Sequence, residues 1–480
     1  MKISAPQRRL VASFLLGVSL AVLLWFGWRA ISQRQVVAAS VPARPALAAW
    51  PAELTDRISE EETQARSFLQ PTAGLAGLCR LYLANGLYNE ALQCLDGLQR
   101  LEPRSALWSH LQAGILAEFG RLEETLPVQE RAVALAPDYI PARLRLADVR
   151  LKANLTAAAV QAYAEVLARD ADNPYARLGL AKCALVDADW AKAREQLEKA
   201  IQAHPDFIGG LSLLVTVREH DGDAGGAEQL RATIGKREFT DFSDPWRDEL
   251  FDDCYEPYLL SVAASKANFA GDAAAAHRWL ERAIRFSPHP GTYHRQLGKM
   301  LLETSDFASA WAHLEKAVAL DPGDSEAWNI LVFSSTAAGD MDRADKALAA
   351  GLANCPQSAG LHHSFGQRLA SLGRNQEAIR EFALAKKLRP NEANAYISLA
   401  LMYFRTEQVE KAVAELKAAL TVQPGHPLAL STLARYYTDN GDEPAARHWI
   451  RQLRLQPRVP AADLNTVTGA YQQKFGHAPW

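Results

Sequence analysis

Residues 297–322 read LGKMLLETSDFASAWAHLEKAVALDP, and residues 399–424 read LALMYFRTEQVEKAVAELKAALTVQP. Both segments have small residues, large apolar residues and a final proline at matching positions. Apolar residues recur three and four positions apart on each side of a short polar turn, a pattern that predicts two amphipathic helices. Self-similarity of this kind indicates a repeat architecture, in which each pair of helices buries its apolar face against its neighbours.

Prolines mark the period of the repeat. Five of them in the second half of the chain are each 34 residues apart: Pro288, Pro322, Pro356, Pro390 and Pro424. In the first half, Pro103, Pro137 and Pro205 fall on the same interval, with Ala171 in the place of one proline. Because proline has no N–H and cannot continue a helix, each is predicted to end the second helix of its repeat. The series predicts eleven repeats, five before an interruption and six after it.

Three further positions recur with a physical reason for each. A small residue on the first helix lets the second helix approach closely: Ala113, Ala147, Ala181, Gly298, Gly366, Ala400 and Ala434. A small residue on the second helix is predicted to lie opposite it: Ala91, Ala193, Ala276, Ala310, Ala344, Ala378 and Ala412. A glycine supplies the left-handed turn between the helices: Gly86, Gly120, Gly222, Gly271, Gly339, Gly373 and Gly441.

These positions resemble the tetratricopeptide repeat family over roughly residues 72–457, and the match is weaker in the third copy, where Asn154 replaces the turn glycine. The resemblance implies an all-α fold: a right-handed superhelical α-solenoid of about eleven 34-residue helix-turn-helix repeats. One N-terminal transmembrane helix is predicted to precede it. The predicted organisation is a cytoplasmic N-terminus (1–9), a transmembrane helix (10–28), a linker (29–50), a capping helix (51–71), repeats 1–5 (72–239), an acidic aromatic insert (240–256), repeats 6–11 (257–458), and a C-terminal capping helix and tail (459–480).

The N-terminal segment predicts the location of the protein. Residues 10–28 contain no charge, and nineteen helical residues are long enough to cross a hydrocarbon core of roughly 30 Å. Lys2, Arg8 and Arg9 precede this segment, which favours an uncleaved anchor in a bacterial inner membrane with the solenoid in the periplasm. Cleavage of a signal peptide with secretion to the periplasm, and the reverse topology, are the alternatives.

The interruption in the repeats is acidic and aromatic. Residues 240–256 read TDFSDPWRDELFDDCYE, with seven acidic residues against one arginine. We expect this insert either to pack on the solenoid as an extra helix, to present Trp246, Phe251 and Tyr255 to a partner, or to link two half-solenoids flexibly.

The sequence carries no constellation typical of an enzyme or a metal site. There is no phosphate-binding glycine loop, no GxSxG and no HExxH. The pairs His289/His294 and His362/His363 do not form a convincing ligand set. The five cysteines include no CxxC and are interpreted as buried thiols, with a Cys79–Cys94 disulfide as the alternative. A net charge of -3 disfavours nucleic acid, and we predict no catalysis, cofactor, metal or small-molecule substrate.

The resemblance also implies where partners bind. In this family the first helix of each repeat, helix A, lines a concave groove that holds extended peptides. Carried over by position, the groove residues are Arg295, Lys299, Asn329, Phe333, His363, Gln367, Phe404, Arg405 and Arg435. Ordinary solvated helix positions are the alternative interpretation of these residues.

The predicted function is a non-catalytic, membrane-tethered scaffold that mediates protein–protein interactions in the cell envelope. Its partners are other proteins or extended peptides bound through the groove. The alternative is an assembly or biogenesis factor for an envelope complex, such as the cytochrome c, polysaccharide or lipopolysaccharide systems. A tetratricopeptide part of a larger enzyme is a third interpretation, which the absence of a further domain in this sequence disfavours.

Overall fold

The computed structural model describes residues 24–25, 27–46, 50–235, 241–456, 459 and 461–480. These residues contain helices and turns and no β-strand. The chain divides into two compact units: unit 1 comprises Met1–Asp221 and Arg237–Lys266, and unit 2 comprises Gly222–Lys236 and Ala267–Trp480. Consecutive helix-turn-helix pairs build both units, which confirms the predicted all-α repeat architecture.

After a helical segment at residues 27–40, unit 1 continues with a helix that packs on the first repeat and with the helices of the first repeats. Its helices are Ala52–Arg66, Pro71–Ala84, Tyr88–Leu101, Ala106–Glu118, Leu122–Leu135, Ile140–Lys152, Thr156–Leu167, Pro174–Val186, Trp190–Ala203, Ile208–His220, the short Pro245–Asp248 and the 3-10 helix Glu249–Asp253. The helix Pro257–Phe269 has its first residues in this unit.

Unit 2 contains the later repeats and the C-terminal helix. Its helices are Ala224–Ile234, Ala273–Phe286, Gly291–Glu303, Phe307–Leu320, Ser325–Ala337, Met341–Asn354, Ala359–Ser371, Asn375–Leu388, Ala393–Arg405, Val409–Val422, Pro427–Asp439, Glu443–Arg454 and Ala461–Phe475. The predicted proline stops are confirmed, because the second helix of a repeat ends two residues before its proline, as Leu320 does before Pro322 and Val422 before Pro424.

The core of each repeat is built where the sequence predicts it. The small residues on the facing helices are buried, and Ala400 and Ala412 are 0% exposed. A large apolar side chain, such as Leu416 or Phe382, fills the remaining space between the two helices. Small residues permit close approach of the backbones, so the large side chains interlock with few voids.

The turn between the two helices of a repeat requires a left-handed backbone at one residue. The predicted glycines adopt it, with φ between 71° and 85°: Gly86, Gly120, Gly222, Gly271, Gly339, Gly373 and Gly441. Four other residues take the same turn position with φ between 55° and 62°: Asn154, Ala188, Ser305 and Glu407. The backbone is strained at Ala188, Ser305 and Glu407, because a side chain in this region brings Cβ close to the following carbonyl oxygen, whereas asparagine tolerates the conformation.

Replacing Ala188 by glycine is expected to raise the free energy of unfolding by about 1 kcal/mol. The strain of a left-handed alanine costs roughly 1–2 kcal/mol, and the greater freedom of glycine in the unfolded chain cancels part of the gain. Urea denaturation measures the effect. Asn154→Gly serves as the matched control with a smaller gain, because asparagine tolerates this backbone. An Ala188→Gly protein no more stable than wild type would contradict the expectation.

Part of the segment predicted as a linker, residues 29–50, is helical. Residues 27–40 are helical, and Val37 and Ser40 are buried against unit 1. Gly97 makes room for this contact, since a Cβ there would lie 2.3 Å from the Ser40 hydroxyl oxygen. Arg44 then pairs with Glu62 at 2.6 Å. Alanine-rich composition favours helix once one face is buried, and the sequence pattern did not reveal that face.

Helices cover both ends of the repeat array. The helix Ala52–Arg66 buries Leu54 and Ile58, and the helix Ala461–Phe475 buries Tyr471. The Tyr471 hydroxyl donates to Glu443 at 2.9 Å, which ties the last helix to the final repeat. Terminal helices of this kind cover apolar surface that a further repeat would otherwise bury.

Most of the predicted transmembrane helix, at residues 10–23 and 26, lies outside the described residues. Among the residues that are described, no helix combines the length and the apolar character that crossing a membrane requires.

Candidate functional site

The candidate binding surface is formed by the first helices of the repeats. We call it the A-helix face of each unit. In unit 1 the insert lies on this face, because its short helix Pro245–Asp248 and 3-10 helix Glu249–Asp253 contact the first helices of repeats 1 and 2, Pro71–Ala84 and Ala106–Glu118. The packing of the described part of the insert corresponds to the first of its three predicted arrangements.

Asp244 anchors the insert in a buried polar site. Its carboxylate oxygens lie 2.8 Å from His110 Nε2 and 2.7 Å from the Tyr139 hydroxyl. Gln129 Nε2 donates to the carbonyl of Ala142 and lies 3.2 Å from His110 Nδ1. An amide nitrogen can only donate, so Nδ1 accepts and Nε2 carries the proton that is donated to Asp244. Asp244 and His110 are each 2% exposed, and these hydrogen bonds offset the cost of burying the carboxylate.

The electrostatics of this site follow from its hydrogen bonds. Burial alone raises the pKa of the Asp244 carboxyl, but hydrogen bonds from His110 and Tyr139 and the charge of Arg247 outweigh burial and lower the pKa overall. Burial, followed by the hydrogen bond to Asp244, raises the pKa of the Tyr139 hydroxyl. Asp244 is therefore ionised, and its carboxylate accepts hydrogen bonds from both His110 and Tyr139.

Trp246 provides the aromatic anchor. Its ring stacks on Tyr139 with centroids 3.7 Å apart and planes 15° apart, and its edge meets His110 at 5.7 Å. The Trp246 backbone N–H donates to the Tyr139 hydroxyl at 3.1 Å. Tyr139 thus contacts the insert through its ring and through both hydrogen-bonding roles of its hydroxyl.

A second carboxylate is held at the other end of the insert. Asp253 accepts from Arg57 at 2.9 Å and from Arg80 at 2.9 Å, on two different helices. Arg80 also donates to the Glu249 carbonyl at 3.3 Å. The Asp253 carboxylate is largely shielded from water, and charge-assisted hydrogen bonds to it are stronger than bonds between neutral groups. The two arginines therefore fix the position of this end of the insert.

Asn85 binds the backbone of the insert. Its amide donates to the Asp253 carbonyl at 3.0 Å and accepts from the Tyr255 N–H at 2.6 Å. Asn85 is 3% exposed, and Tyr255 is 7% exposed. A buried asparagine that bonds to both a carbonyl and an N–H can bind the backbone of a peptide segment, whatever side chains that segment carries.

The start of the insert reaches repeats 3 and 4. Asp241 pairs with Arg145 at 2.7 Å, and the Arg145 guanidinium lies 4.4 Å from the centre of the Phe242 ring. Phe242 also meets the edge of Tyr175, with centroids 5.6 Å apart. Contacts of residues 241–255 therefore extend along the first helices of four successive repeats.

The predicted groove residues of unit 2 lie on its A-helix face, several of them in contacts within the unit. Arg295 pairs with Asp324 at 2.8 Å and also with Glu326. His363 Nε2 lies 2.9 Å from the Ser398 hydroxyl. Burial lowers the pKa of His363, which therefore favours its neutral form.

Other predicted groove residues point to solvent. Phe333 is 72% exposed, and Lys299 and Gln367 are exposed. Asn329 is half-buried against the next first helix, where a Cβ on Gly360 would lie 1.8 Å from its amide nitrogen. Glycine at that position is what allows Asn329 to lie there.

The last two repeats bring two of the predicted residues close together. Phe404 and Arg435 line a cleft of about 390 Å³ between the last repeat and the C-terminal helix, together with Tyr436. Arg435 pairs with Asp439 at 2.9 Å, and Arg405 donates to the Ala370 carbonyl at 3.0 Å. The exposed Leu401 and Leu428 add apolar surface on the same first helices.

Two of the histidines singled out in the sequence lie close to other side chains. His294 Nδ1 lies 2.9 Å from His313 Nδ1, and His362 Nδ1 lies 2.7 Å from Glu381. No cluster of three or more potential metal ligands occurs in the described part of the chain. The five cysteines are buried free thiols, and burial raises the pKa of Cys94 to about 12.

The His294–His313 pair predicts a dependence of stability on pH. Burial, then His313 and Lys316, lower the pKa of His294 from 6.5 to about 4. The unfolded chain therefore binds the proton first, so the stability that His294 contributes is complete above pH 6.5 and is lost as pH falls towards 4. We expect urea midpoints of wild type to fall more steeply over this range than those of His294→Gln. His289→Gln, on the exposed turn, is the control that keeps the wild-type slope, and equal slopes for His294→Gln and wild type contradict the expectation.

The groove residues of unit 1 were not among those predicted from the sequence. His110 and Arg80 occupy the fifth and ninth positions of their repeats, the same positions as Arg295 and Lys299 in unit 2. Applying that register to the first repeats identifies both residues. Tyr139 and Asn85 lie at the ends of helices and have no comparable positional signal.

Family comparisons agree with this repeat architecture. Models described as tetratricopeptide repeat match residues 78–140, 150–214, 264–325, 295–359, 363–427 and 399–462, together more than half of the chain. Among curated relatives, the chain is 25% identical to Cellulose synthase operon protein C of Xanthomonas axonopodis pv. citri over 55% of this chain and 17% of that protein. It is 28% identical to Protein FlbA of Caulobacter vibrioides over 37% of this chain and 30% of that protein. The chain spans less than a third of the length of these relatives.

Solved structures with similar architecture include PilW, a type IV pilus biogenesis factor. It is 23% identical, with a TM-score of 0.36, over 40% of this chain and 88% of PilW. Yeast Tom70 is 15% identical, with a TM-score of 0.40, over 84% of this chain and 96% of Tom70.

Proposed function

Because the chain belongs to the tetratricopeptide repeat family, we propose that it is a non-catalytic scaffold that holds extended segments of other proteins on its A-helix faces. The observation that carries this proposal is the A-helix face of unit 1. That face holds the insert, a segment of two short helical turns and their flanking residues, through contacts to both its side chains and its backbone. A surface that does this for a segment of its own chain has the groups needed to do it for a segment of a partner.

The A-helix face of unit 2 supplies the surface for partners. Phe333, Leu401 and Leu428 are 72%, 37% and 49% exposed. Lys299 and Arg405, which are also exposed on first helices, add positive charge to this face. Exposed apolar side chains among basic ones favour a partner segment that carries apolar and acidic residues.

Photo-crosslinking at single positions tests this proposal. A photoreactive phenylalanine analogue at Phe333 is expected to form crosslinks to a defined set of proteins in intact cells. The matched control is the same analogue at Lys346, a 76% exposed side chain on a second helix of the same repeat. Two outcomes would contradict binding at the A-helix face: equal crosslinking at positions 346 and 333, or no crosslinking at position 333.

The scaffold is further proposed to be tethered to a bacterial inner membrane by residues 10–28, with the repeats in the periplasm. The support is the uncharged segment of nineteen residues with basic residues before it. Removal of residues 1–28 is expected to release the protein from the membrane fraction. In spheroplasts, added protease is expected to degrade the repeats of the full chain. Full protection from protease contradicts the topology, and full-length protein in the soluble fraction contradicts the tether.

A second candidate function is assembly of an envelope complex. It is favoured by the similarity to two proteins named as cellulose synthase operon protein C, one from Xanthomonas axonopodis pv. citri and one from Komagataeibacter xylinus. For this function, deletion of the gene is expected to reduce the amount of an assembled complex while its subunits are still synthesised. If the complexes assemble fully without the protein, the assembly function is contradicted and only the scaffold function remains.

A further inference from the structure

The insert is held on unit 1 as a peptide ligand is held in a groove. Three side chains anchor it: the carboxylates of Asp244 and Asp253 and the indole ring of Trp246. Each contacts side chains that belong to the repeats or to the capping helix. We infer that the insert is the chain's own ligand for this face, and that an acidic, aromatic segment of a partner protein binds there by replacing it. This inference rests on the proposed function, since it names the partner class for one of the two faces.

The character of the interface distinguishes the insert from the repeats. Neighbouring helices of the repeats meet through buried alanine and leucine side chains, such as Ala193 and Leu197, which are both 0% exposed. The insert meets the rest of unit 1 through ion pairs, hydrogen bonds, the stack of Trp246 on Tyr139 and the ring contacts of Phe242, and Leu250, Cys254 and Tyr255 are also buried. Water and a competing ligand can supply the polar contacts again after the insert leaves, whereas they cannot replace a packed apolar core.

The contacts define the chemistry of the partner segment. It carries a carboxylate in the place of Asp244, an aromatic ring two residues later in the place of Trp246, and a second carboxylate in the place of Asp253, nine residues after the first. His110, with Tyr139, recognises the first carboxylate, and Arg57 and Arg80 recognise the second. Asn85 accepts any residue at the end of the segment, because it contacts only the backbone.

Tethering makes the insert an effective competitor. A ligand joined to its site by a short linker has an effective concentration in the millimolar range. A free segment of equal intrinsic affinity therefore binds the wild-type protein only weakly. Loosening the insert without altering the repeats exposes the intrinsic affinity of the face.

The test uses a fluorescent synthetic peptide with the sequence of residues 240–256 and the full chain in detergent. Fluorescence anisotropy measures binding to wild type, to a Trp246→Ala/Asp253→Ala protein, and to the same protein with Arg80→Glu added. We expect the Trp246→Ala/Asp253→Ala protein to bind the peptide at least tenfold more tightly than wild type, and Arg80→Glu to abolish that gain. Glu249→Gln is the matched control in the insert, because its side chain is 66% exposed and lies 4.0 Å from Arg80, and it is expected to behave as wild type.

Three results overturn the inference. One is equal binding by wild type and the Trp246→Ala/Asp253→Ala protein, and another is a gain that survives Arg80→Glu. The third comes from hydrogen exchange on wild type, a measurement that does not depend on whether the variants fold. There, saturating peptide is expected to speed exchange of the Tyr255 N–H, and unchanged exchange overturns the inference. Crosslinks at Phe333 test the face of unit 2 independently, so their persistence leaves the proposed function standing when this inference fails.

Discussion

Replacing Gly366 by alanine is expected to lower the free energy of unfolding by about 2 kcal/mol or more, because the added methyl group has no room. An ideal Cβ on Gly366 would lie 2.7–3.0 Å from three atoms of the Phe382 ring. That ring is 2% exposed and lies between the two helices of its repeat, so it cannot move away without displacing other core side chains. Denaturant unfolding measures the loss.

The following repeat shows how this loss can be rescued. There the equivalent positions hold Ala400 and Leu416, both 0% exposed. Phe382→Leu alone is expected to cost roughly 1 kcal/mol, since it leaves part of the ring volume empty. The Gly366→Ala/Phe382→Leu double variant recreates the pair of the following repeat, and we expect it to lie within about 1 kcal/mol of wild type. A double-mutant cycle without favourable coupling would show that the two side chains do not compete for the same space.

Replacing Asp244 by alanine is expected to detach the insert from unit 1, with a loss of about 3 kcal/mol from the free energy that holds it. Removing the carboxylate costs this much because two buried donors lose their shared acceptor, and each buried polar group left without a partner costs about 1–3 kcal/mol. Here His110 and the Tyr139 hydroxyl lose the carboxylate that accepts from them. Hydrogen exchange is the measurement, and amides of residues 244–255 are expected to lose protection.

The same experiment separates the insert from the repeats. Amides within the helices Ala106–Glu118 and Ile140–Lys152 are expected to keep their protection in Asp244→Ala, because their own cores are intact. Glu249→Gln is again the control and is expected to match wild type. Unchanged protection of residues 244–255 in Asp244→Ala would mean that the remaining anchors, Asp253 with its two arginines foremost, are sufficient.

Much of the architecture was predictable from the amino-acid sequence alone, because it depends on neighbours in the chain. The prolines end second helices at the predicted places, and the turn glycines have the predicted left-handed backbone. The predicted C-terminal helix spans Ala461–Phe475 in the structure. Residues three and four apart share one face of a helix, so a periodic pattern fixes both the helix and the face that it buries.

The position of the insert and the burial of Val37 and Ser40 came only from the tertiary structure. The contact between His110 and Asp244 joins residues 134 apart, and that between Arg57 and Asp253 joins residues 196 apart. Single charged and aromatic residues leave no periodic signal, so their pairing across such distances cannot be deduced from local pattern. The repeats were determined by the local pattern of apolar, small and turn residues, whereas the occupant of the A-helix face of unit 1 was determined by which distant side chains folding brings together.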